Sequence, residues 1–407
     1  MTLTSVSHFT VVDVIALVLM LCAFAVGTSE FIVVGVLPEV SADLGVSLPS
    51  AGLLVTAYAV SVAVGGPVLT VLTGRLPRRP LLIGVMALAF VAAAVCALAP
   101  DYTVLMAARM LAALAQGLFF AVASQIAVAA VAPEKRTAAI AKIVNGVALS
   151  TVLGIPVGTL IGQNYGWRAS FALVAVLTLI GLAGVALGAP KVAHEPDPGV
   201  RASLFAFGRK TVLLGLATTV LSFTGMITAF TYVAPALVEV SGFSPSWVTG
   251  VLLVYGLGTV VGSTIAGRVR TDAIMRVLPV TLGLLMLVLL ATGFLLETRL
   301  TAVVALFGLG ATAFVSGPLL HTFLMGQAGS AAGLVASVNI SAFNVAAALG
   351  PMIGGAVIAG GFGVRWTAAA GALPTLLGVG VALVIGRLVR RGGAPVEERA
   401  EPAPVRA

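Results

Sequence analysis

Two charged residues of this chain, Glu30 and Arg109, each fall inside a long apolar run. A charge near the middle of a bilayer costs at least roughly 2.5–3.5 kcal/mol on insertion scales. It persists there when it faces a cavity, has a partner or performs a task. A carboxyl in that setting is a candidate proton carrier, because burial opposes its ionised form and a neighbouring guanidinium favours it. A group balanced between those effects loads and releases a proton as its access to water changes. Once ionised, it also attracts a cationic compound. The competing reading of Glu30 is a structural carboxylate, hydrogen-bonded to backbone at a helix break. Arg109 reads as a pin between helices or as the group that tunes Glu30, and one guanidinium can do both.

Depth allows the two to meet. With the first apolar run rising from near residue 13, Glu30 lies roughly 7 Å beyond its midpoint at 1.5 Å per residue. The fourth run descends from near Tyr102, so Arg109 falls in the same half of the bilayer. Ala112, Ala113, Gln116 and Phe120 share the face of Arg109 on a helix. Small residues beside a polar and an aromatic one suit a cavity wall, and equally suit helix packing.

Composition supplies the elements that hold these residues. Of 407 residues, 60% are hydrophobic and 9% charged, against about 25% charged in soluble domains. The mean hydropathy is +1.16. A soluble enzyme, a disordered chain and a secreted disulfide scaffold are excluded. Cys22 and Cys96 sit far apart in apolar runs and read as small buried hydrophobes. Runs of about 20 apolar residues, enough to cross hydrocarbon, lie near 13–37, 50–73, 81–99, 102–131, 138–163 and 169–189. A second set lies near 210–234, 247–267, 277–296, 300–322, 333–360 and 366–388. The chain therefore reads as an all-α membrane protein of twelve transmembrane helices. Residues 1–189 form an N-terminal half and 211–389 a C-terminal half, joined by a polar linker at 190–210 that reads as cytoplasmic. Residues 390–407 read as a disordered cytoplasmic tail. The first segment lacks the basic stretch and cleavage site of a signal peptide, so the first span reads as retained.

The net charge of +8 points to nucleic acid in a soluble protein, but here its distribution is what counts. With both termini in the cytoplasm, 18 of the 22 Lys and Arg lie on the cytoplasmic side. Arg168, Arg299 and Arg365 lie in the outer loops, and the last is Arg109. That bias fixes the expected orientation and leaves no case for nucleic acid.

The two sets repeat at an offset of 197 residues: Tyr58 matches Tyr255, Gly65 matches Gly262, and Gly166 matches Gly363. Gly154, Pro156 and Gly158 in span 5 recur near that offset as Gly350, Pro351, Gly354 and Gly355 in span 11. These residues bend their spans and let neighbours approach closely, or serve packing alone. Two parallel halves typify a transporter whose site lies between them.

At these residues the chain resembles the major facilitator superfamily, in its twelve-span drug:proton antiporter branch of bacterial multidrug, chloramphenicol-type, sugar and purine-nucleoside exporters. The resemblance covers roughly residues 12–390. It rests on Gly27-Thr28-Ser29-Glu30-Phe31 with Gly35 and Leu37-Pro38, on Ala51-Gly52-Leu53-Leu54 with Tyr58 and Gly66-Pro67, and on Arg109 with Gln116-Gly117. The run Gly154-Ile155-Pro156-Val157-Gly158, ending in Gly166-Trp167-Arg168, is similar to the family's antiporter motif. The family loop between spans 2 and 3 usually reads G-x-x-x-D-[RK]-x-G-[RK]-[RK]. Here Arg75, Arg78 and Arg79 are kept, but Gly74 stands where the Asp would be. These arginines read as part of a conformational lock lacking its carboxylate, or simply as residues that hold the loop in the cytoplasm. The resemblance implies a major facilitator fold of two pseudo-symmetric six-helix bundles in the bacterial plasma membrane, working as a monomer. It also implies exchange of a small molecule for protons, without a cofactor or metal.

The second half carries no buried charge, and Leu306 stands where Arg109 would repeat. Its candidate substrate contacts are Phe223, Phe230 and Tyr232 in span 7, Tyr255 in span 8, and Asn339 and Asn344 in span 11. Phe31, Tyr58, Gln116 and Phe120 are the candidates from the first half. An apolar wall dotted with amides suits a lipophilic or amphiphilic compound, although core packing explains each residue too. His321 reads as an interfacial residue. An ATP-driven pump would need G-x-x-x-x-G-K-[ST], and none of the four lysines follows a glycine. A membrane enzyme would want clustered His, Asp or Glu at a span end, and a sensor would want a soluble domain. A proton-coupled importer or a facilitative sugar or nucleoside transporter stays open, because helices do not encode direction.

Overall fold

The computed structural model describes residues 11–131, 136–190, 209–328 and 332–391. Most of the linker (191–208) and of the tail (392–407) lies outside the described residues. The first half comprises α1 (Val11–Gly35), α2 (Leu37–Asp43), α3 (Leu48–Leu72), α4 (Arg78–Leu98) and α5 (Tyr102–Ala129). It continues with α6 (Arg136–Leu149), a π-helical turn (Ser150–Gly154), α7 (Ile155–Tyr165) and α8 (Trp167–Gly188). The second half comprises α9 (Lys210–Thr231), α10 (Val233–Glu239), α11 (Pro245–Ala266) and α12 (Ile274–Leu295). It ends with α13 (Arg299–Ala328), α14 (Ala332–Ala359) and α15 (Thr367–Arg391).

Twelve helical units among the described residues are long and apolar enough to cross a membrane. Large apolar side chains such as Leu98, Leu187 and Leu300 are 75–88% uncovered. Hydrocarbon accepts such a surface and water does not. The spans agree with the hydropathy runs to within a few residues at most ends. The longest overrun is in span 10, where α13 continues to Ala328 beyond the run's end at 322, and a difference of another kind is in spans 1 and 7, where the runs continue to 37 and 234. There the backbone leaves the helical region at Val36 and Tyr232, and the short helices α2 and α10 follow. Hydropathy does not mark these breaks because the chain is apolar on both sides of them.

The halves repeat in packing as well as in sequence. α1 packs on α6 and α8, α3 on α5, and α4 on α5 and α8. Each pairing recurs as α9 on α14 and α15, α11 on α13, and α12 on α13 and α15. Even the turn glycines correspond: Gly45 and Gly242, and Gly166 and Gly363, all adopt positive φ. A side chain resists that backbone region, so each pair marks the same tight turn. Between the halves, α3 runs along α14 and α7 meets α11.

Spans 1 and 5 approach closely because glycines line both. A Cβ at Gly27 would strike Ser150, and one at Gly35 would strike Thr159. From the other side, Cβ atoms at Gly154, Gly158 and Gly162 would meet Thr28, Ile32 and Val36. Glycine every fourth residue gives a flat stripe along span 5, and close backbone approach of this kind drives helix association in lipid. The bend expected of Gly154 and Pro156 takes the form of the π turn. Pro156 has no N–H, and the N–H of Ile155 reaches back to the Ser150 carbonyl. Span 11 keeps a continuous helix through Pro351. Gly154→Val should force spans 1 and 5 apart and lower stability by about 1–3 kcal/mol, the usual range for overpacking. Thermal unfolding of the purified protein in detergent measures this, and an unchanged midpoint would refute the tight contact.

α2 is tied to its own half by Asp43, whose Oδ2 accepts from Arg168 Nη1 at 2.5 Å and Trp167 Nε1 at 2.9 Å. Arg168 also donates twice to the Ala99 carbonyl, at 3.0 and 2.8 Å. The hydrogen bond from Arg168, seconded by Trp167, holds the Asp43 carboxyl below the usual carboxylate range. A lowered folded-state value means the contribution is present above the ordinary Asp value and fades as pH falls through the folded one. Asp43→Asn should therefore unfold slightly earlier than the parent near neutral pH and together with it in strong acid. Melting curves across that range provide the check. The matching Arg365 uses a different acid, Glu297, and the Gly293 carbonyl.

Candidate functional site

Glu30 lies one helical turn before the end of α1 and is half-buried. Its Oε2 accepts from Gln116 Nε2 at 2.7 Å, and Gln116 Oε1 accepts from the Tyr58 hydroxyl at 2.6 Å. One line of hydrogen bonds therefore joins α1, α5 and α3. Gln116 and Tyr58 are buried, so each polar group needs the partner it finds here. The fully buried Arg109 stands beside them. One guanidinium nitrogen donates to the Ser29 carbonyl and the other to the Glu30 carbonyl at 2.8 Å. Its charge lies over the Tyr58 ring, 4.1 Å from the centroid, and Phe171 is 6.0 Å away. The Nε atom has no partner.

Glu30, Tyr58, Arg109 and Gln116 thus meet, in an arrangement the level of the two charges alone does not reveal. Arg109 grips the carbonyls of the two peptides that flank the Glu30 Cα and makes no ion pair with the carboxylate. It fastens span 1 to span 4 and brings a positive charge near Glu30 without locking it. The carboxylate is held by a neutral amide, so taking up a proton breaks no ion pair.

Phe31, next in sequence, reaches across the midline. Its ring meets Phe230 edge-on at 6.4 Å, and Phe230 stacks on Tyr255 at 4.5 Å. Tyr255 points its hydroxyl at Met226 Sδ, 3.7 Å away. These rings bring an aromatic wall of the second half against the residue that follows Glu30. Elsewhere, Phe223 contacts Phe343 at 4.8 Å. Asn339 accepts from Thr219 at 2.7 Å and sits 3.4 Å from the ring of His321, which is exposed. Asn344 is buried and donates to the Ile340 carbonyl at 2.9 Å, while its Oδ1 has no partner. Phe120 packs edge-on with Phe119, in a separate core cluster from Phe31 and Phe230. A small apolar cavity lined by Ala229, Leu306 and Thr367 occupies the place where the first half holds Arg109.

Tyr232 belongs to the seam between the halves. It is fully buried, donates to the Pro351 carbonyl at 2.8 Å, and fills the space that side chains at Gly52 and Gly354 would need. Gly355 faces Pro49 across the same seam, and Gly350 packs on Ile227 and Thr228 within the second half. Thr56 donates to the Ala348 carbonyl at 2.9 Å, and Thr249 meets Gln163 at 3.5 Å. α2 packs on α10 beside these contacts. The two halves are therefore closed against one another on the α2 side. On the opposite side, no hydrogen bond or ring contact joins them among the described residues. Arg79 there donates to the Ala186 carbonyl at 2.8 Å within its own half, Arg78 is buried and Arg75 is exposed. Gly52 and Thr56 carry this seam and were not among the candidates. Gly52 stands in a quoted motif, but nothing local says what fills the space above it.

Comparison with known proteins agrees with this architecture. The family model described as Major Facilitator Superfamily matches residues 19–351. The inner membrane transport protein YdhP of Escherichia coli (strain K12) is 37% identical over 357 residues, covering 88% of this chain and 92% of that protein. A chloramphenicol resistance protein of Streptomyces lividans is 35% identical over 334 residues, covering 81% and 85%. Among solved structures, a bacterial homologue of the human lysosomal transporter Spinster, inward-facing and unoccupied, superposes with a TM-score of 0.78. It is 17% identical and covers 95% of this chain and 99% of that one.

Proposed function

Because the chain belongs to the major facilitator superfamily, a family of transporters rather than enzymes, we propose that it exports a small lipophilic or amphiphilic compound in exchange for protons. Glu30 is the proton carrier in this reading. One observation carries it: a carboxylate inside a membrane span, held by a neutral amide, with its nearby cation occupied by backbone carbonyls. Such a carboxylate gains and loses a proton as water reaches it from either side. Phe31, Phe230 and Tyr255 supply flat apolar surface next to it, which favours a compound with an aromatic or greasy body. The name of the Streptomyces lividans relative is in keeping with export of an antibiotic.

The chain works as a monomer by rocking its two halves, with both termini in the cytoplasm of a bacterial cell. On that orientation the closed α2 side faces outward. Substrate enters from the cytoplasm or inner leaflet and is released outside, where Glu30 takes up a proton for the return. A growth-inhibition panel of toxic compounds, with and without expression, identifies the substrate. Cells making the protein should then accumulate less of the labelled compound than cells without it. Greater accumulation would overturn the direction.

A further inference from the structure

Glu39 has the look of a loop charge in sequence, since it follows Leu37-Pro38 just past span 1. It occupies the middle of α2, the short helix that packs on α3 and, across the seam, on α10. The neighbouring Val36, Leu37 and Val40 share a buried apolar cluster with Val233, Ala234, Ala236 and Leu237 of the other half. The Glu39 side chain is half-buried, and its Oε2 is fully buried with no hydrogen-bond partner. The second half has Pro235 and Ala236 near the matching offset, so only one side of the seam carries a carboxylate.

No charged group compensates it. On its own helix, Asp43 is engaged by Arg168 and Trp167, and Arg168 has its remaining donors on Ala99. On α10, the ionisable residue is Glu239, which is exposed. On α3, no ionisable side chain precedes Tyr58, whose hydroxyl is given to Gln116. Burial without a cation pushes the Glu39 carboxyl above its ordinary value. An ionised carboxylate with a partnerless buried oxygen is strongly disfavoured, and its neutral form much less so.

We infer that Glu39 is a second protonation site, on the α2 side, and that this side of the transporter closes on its neutral form. When the halves part there, water solvates the carboxylate and it ionises. When they close, a proton from the solution on that side ends on the carboxyl of Glu39. The seam then stays open to ionised Glu39, so the protein does not reset without collecting a proton. This rests on the alternating-access part of the proposed function and is independent of Glu30 as carrier.

The test places spin labels at Ala42→Cys and Ser246→Cys, exposed positions on the α2 side of the two halves. Both native cysteines are buried and so escape labelling. The inter-label distance is measured on the full chain in lipid nanodiscs, without substrate, from acid to alkaline pH. The otherwise unaltered protein should shift from short to long distances as pH rises. Glu39→Gln should stay short throughout and lose the shift. Glu39→Ala, neutral and smaller, should do the same and guards against an effect peculiar to glutamine. No shift in the parent, or the parental shift kept in either neutral variant, overturns the inference. The same series on Glu30→Gln separates the two readings. A shift that survives there assigns the pH response to Glu39, while a shift lost there and kept in Glu39→Gln assigns it to Glu30 and overturns the inference.

Discussion

Glu30→Gln should abolish proton release when substrate is added to energised inverted vesicles, while exchange of labelled substrate across the same membrane should continue. Glutamine keeps the length of the side chain and a carbonyl oxygen to accept from Gln116 Nε2. The local hydrogen bond therefore survives, and only the titratable proton is lost. A mid-membrane carboxylate costs at least roughly 2.5–3.5 kcal/mol, so the variant should insert and fold at least as well as the parent. Lost coupling with preserved exchange then points to proton chemistry rather than to damage. If the glutamine protein releases stored ΔpH as the parent does, Glu30 is not the carrier.

Arg109→Ala should stop transport and destabilise the protein while leaving it in the membrane. Several effects compete. Removing the charge relieves an insertion cost of about 2.5–3.5 kcal/mol. Against that stand two charge-assisted hydrogen bonds to the Ser29 and Glu30 carbonyls, at roughly 1.5–3 kcal/mol each. The desolvated contact with the Tyr58 ring adds about 2 kcal/mol, and an alanine leaves a void besides. The losses exceed the relief, so the melting temperature falls and span 1 loses its hold on span 4. Arg109→Lys should be intermediate: a single ammonium keeps the charge but lacks the planar fork that reaches both carbonyls and stacks on the ring. Full transport activity in the alanine variant would remove Arg109 from the site.

Much of this was legible in the sequence, for identifiable reasons. The spans follow from hydropathy, which depends on composition within a window. The repeat at 197 residues reappears as paired packing and paired turn glycines, because those features depend on residue type at fixed spacing. Glu30 and Arg109 stood out because charge in hydrocarbon needs a reason. Which atoms meet is a different matter. Nothing local says that the guanidinium takes main-chain carbonyls, or that Gln116 stands between Tyr58 and Glu30. Phe120 shares a helical face with Arg109, yet its ring turns to Phe119 in another cluster. Glu39 resembled a loop residue because its helix is buried by packing with distant parts of the chain, including the facing half. The breaks at Val36 and Tyr232 escaped for a related reason, since they separate two apolar stretches.

The second half keeps the main packing relations of the first but has Leu306 and a small cavity where the first has Arg109. Its walls are rings, hydroxyls and amides, with no charge at mid-span among the described residues. In the proposed mechanism, side chains there can change without altering a charge near Glu30. What the protein carries and how it is driven are therefore separately adjustable. Under selection for resistance to a new compound, gain-of-function substitutions should gather at positions such as Phe223, Phe230 and Asn339. Lineages that alter their cargo in this way would keep the engine they inherited.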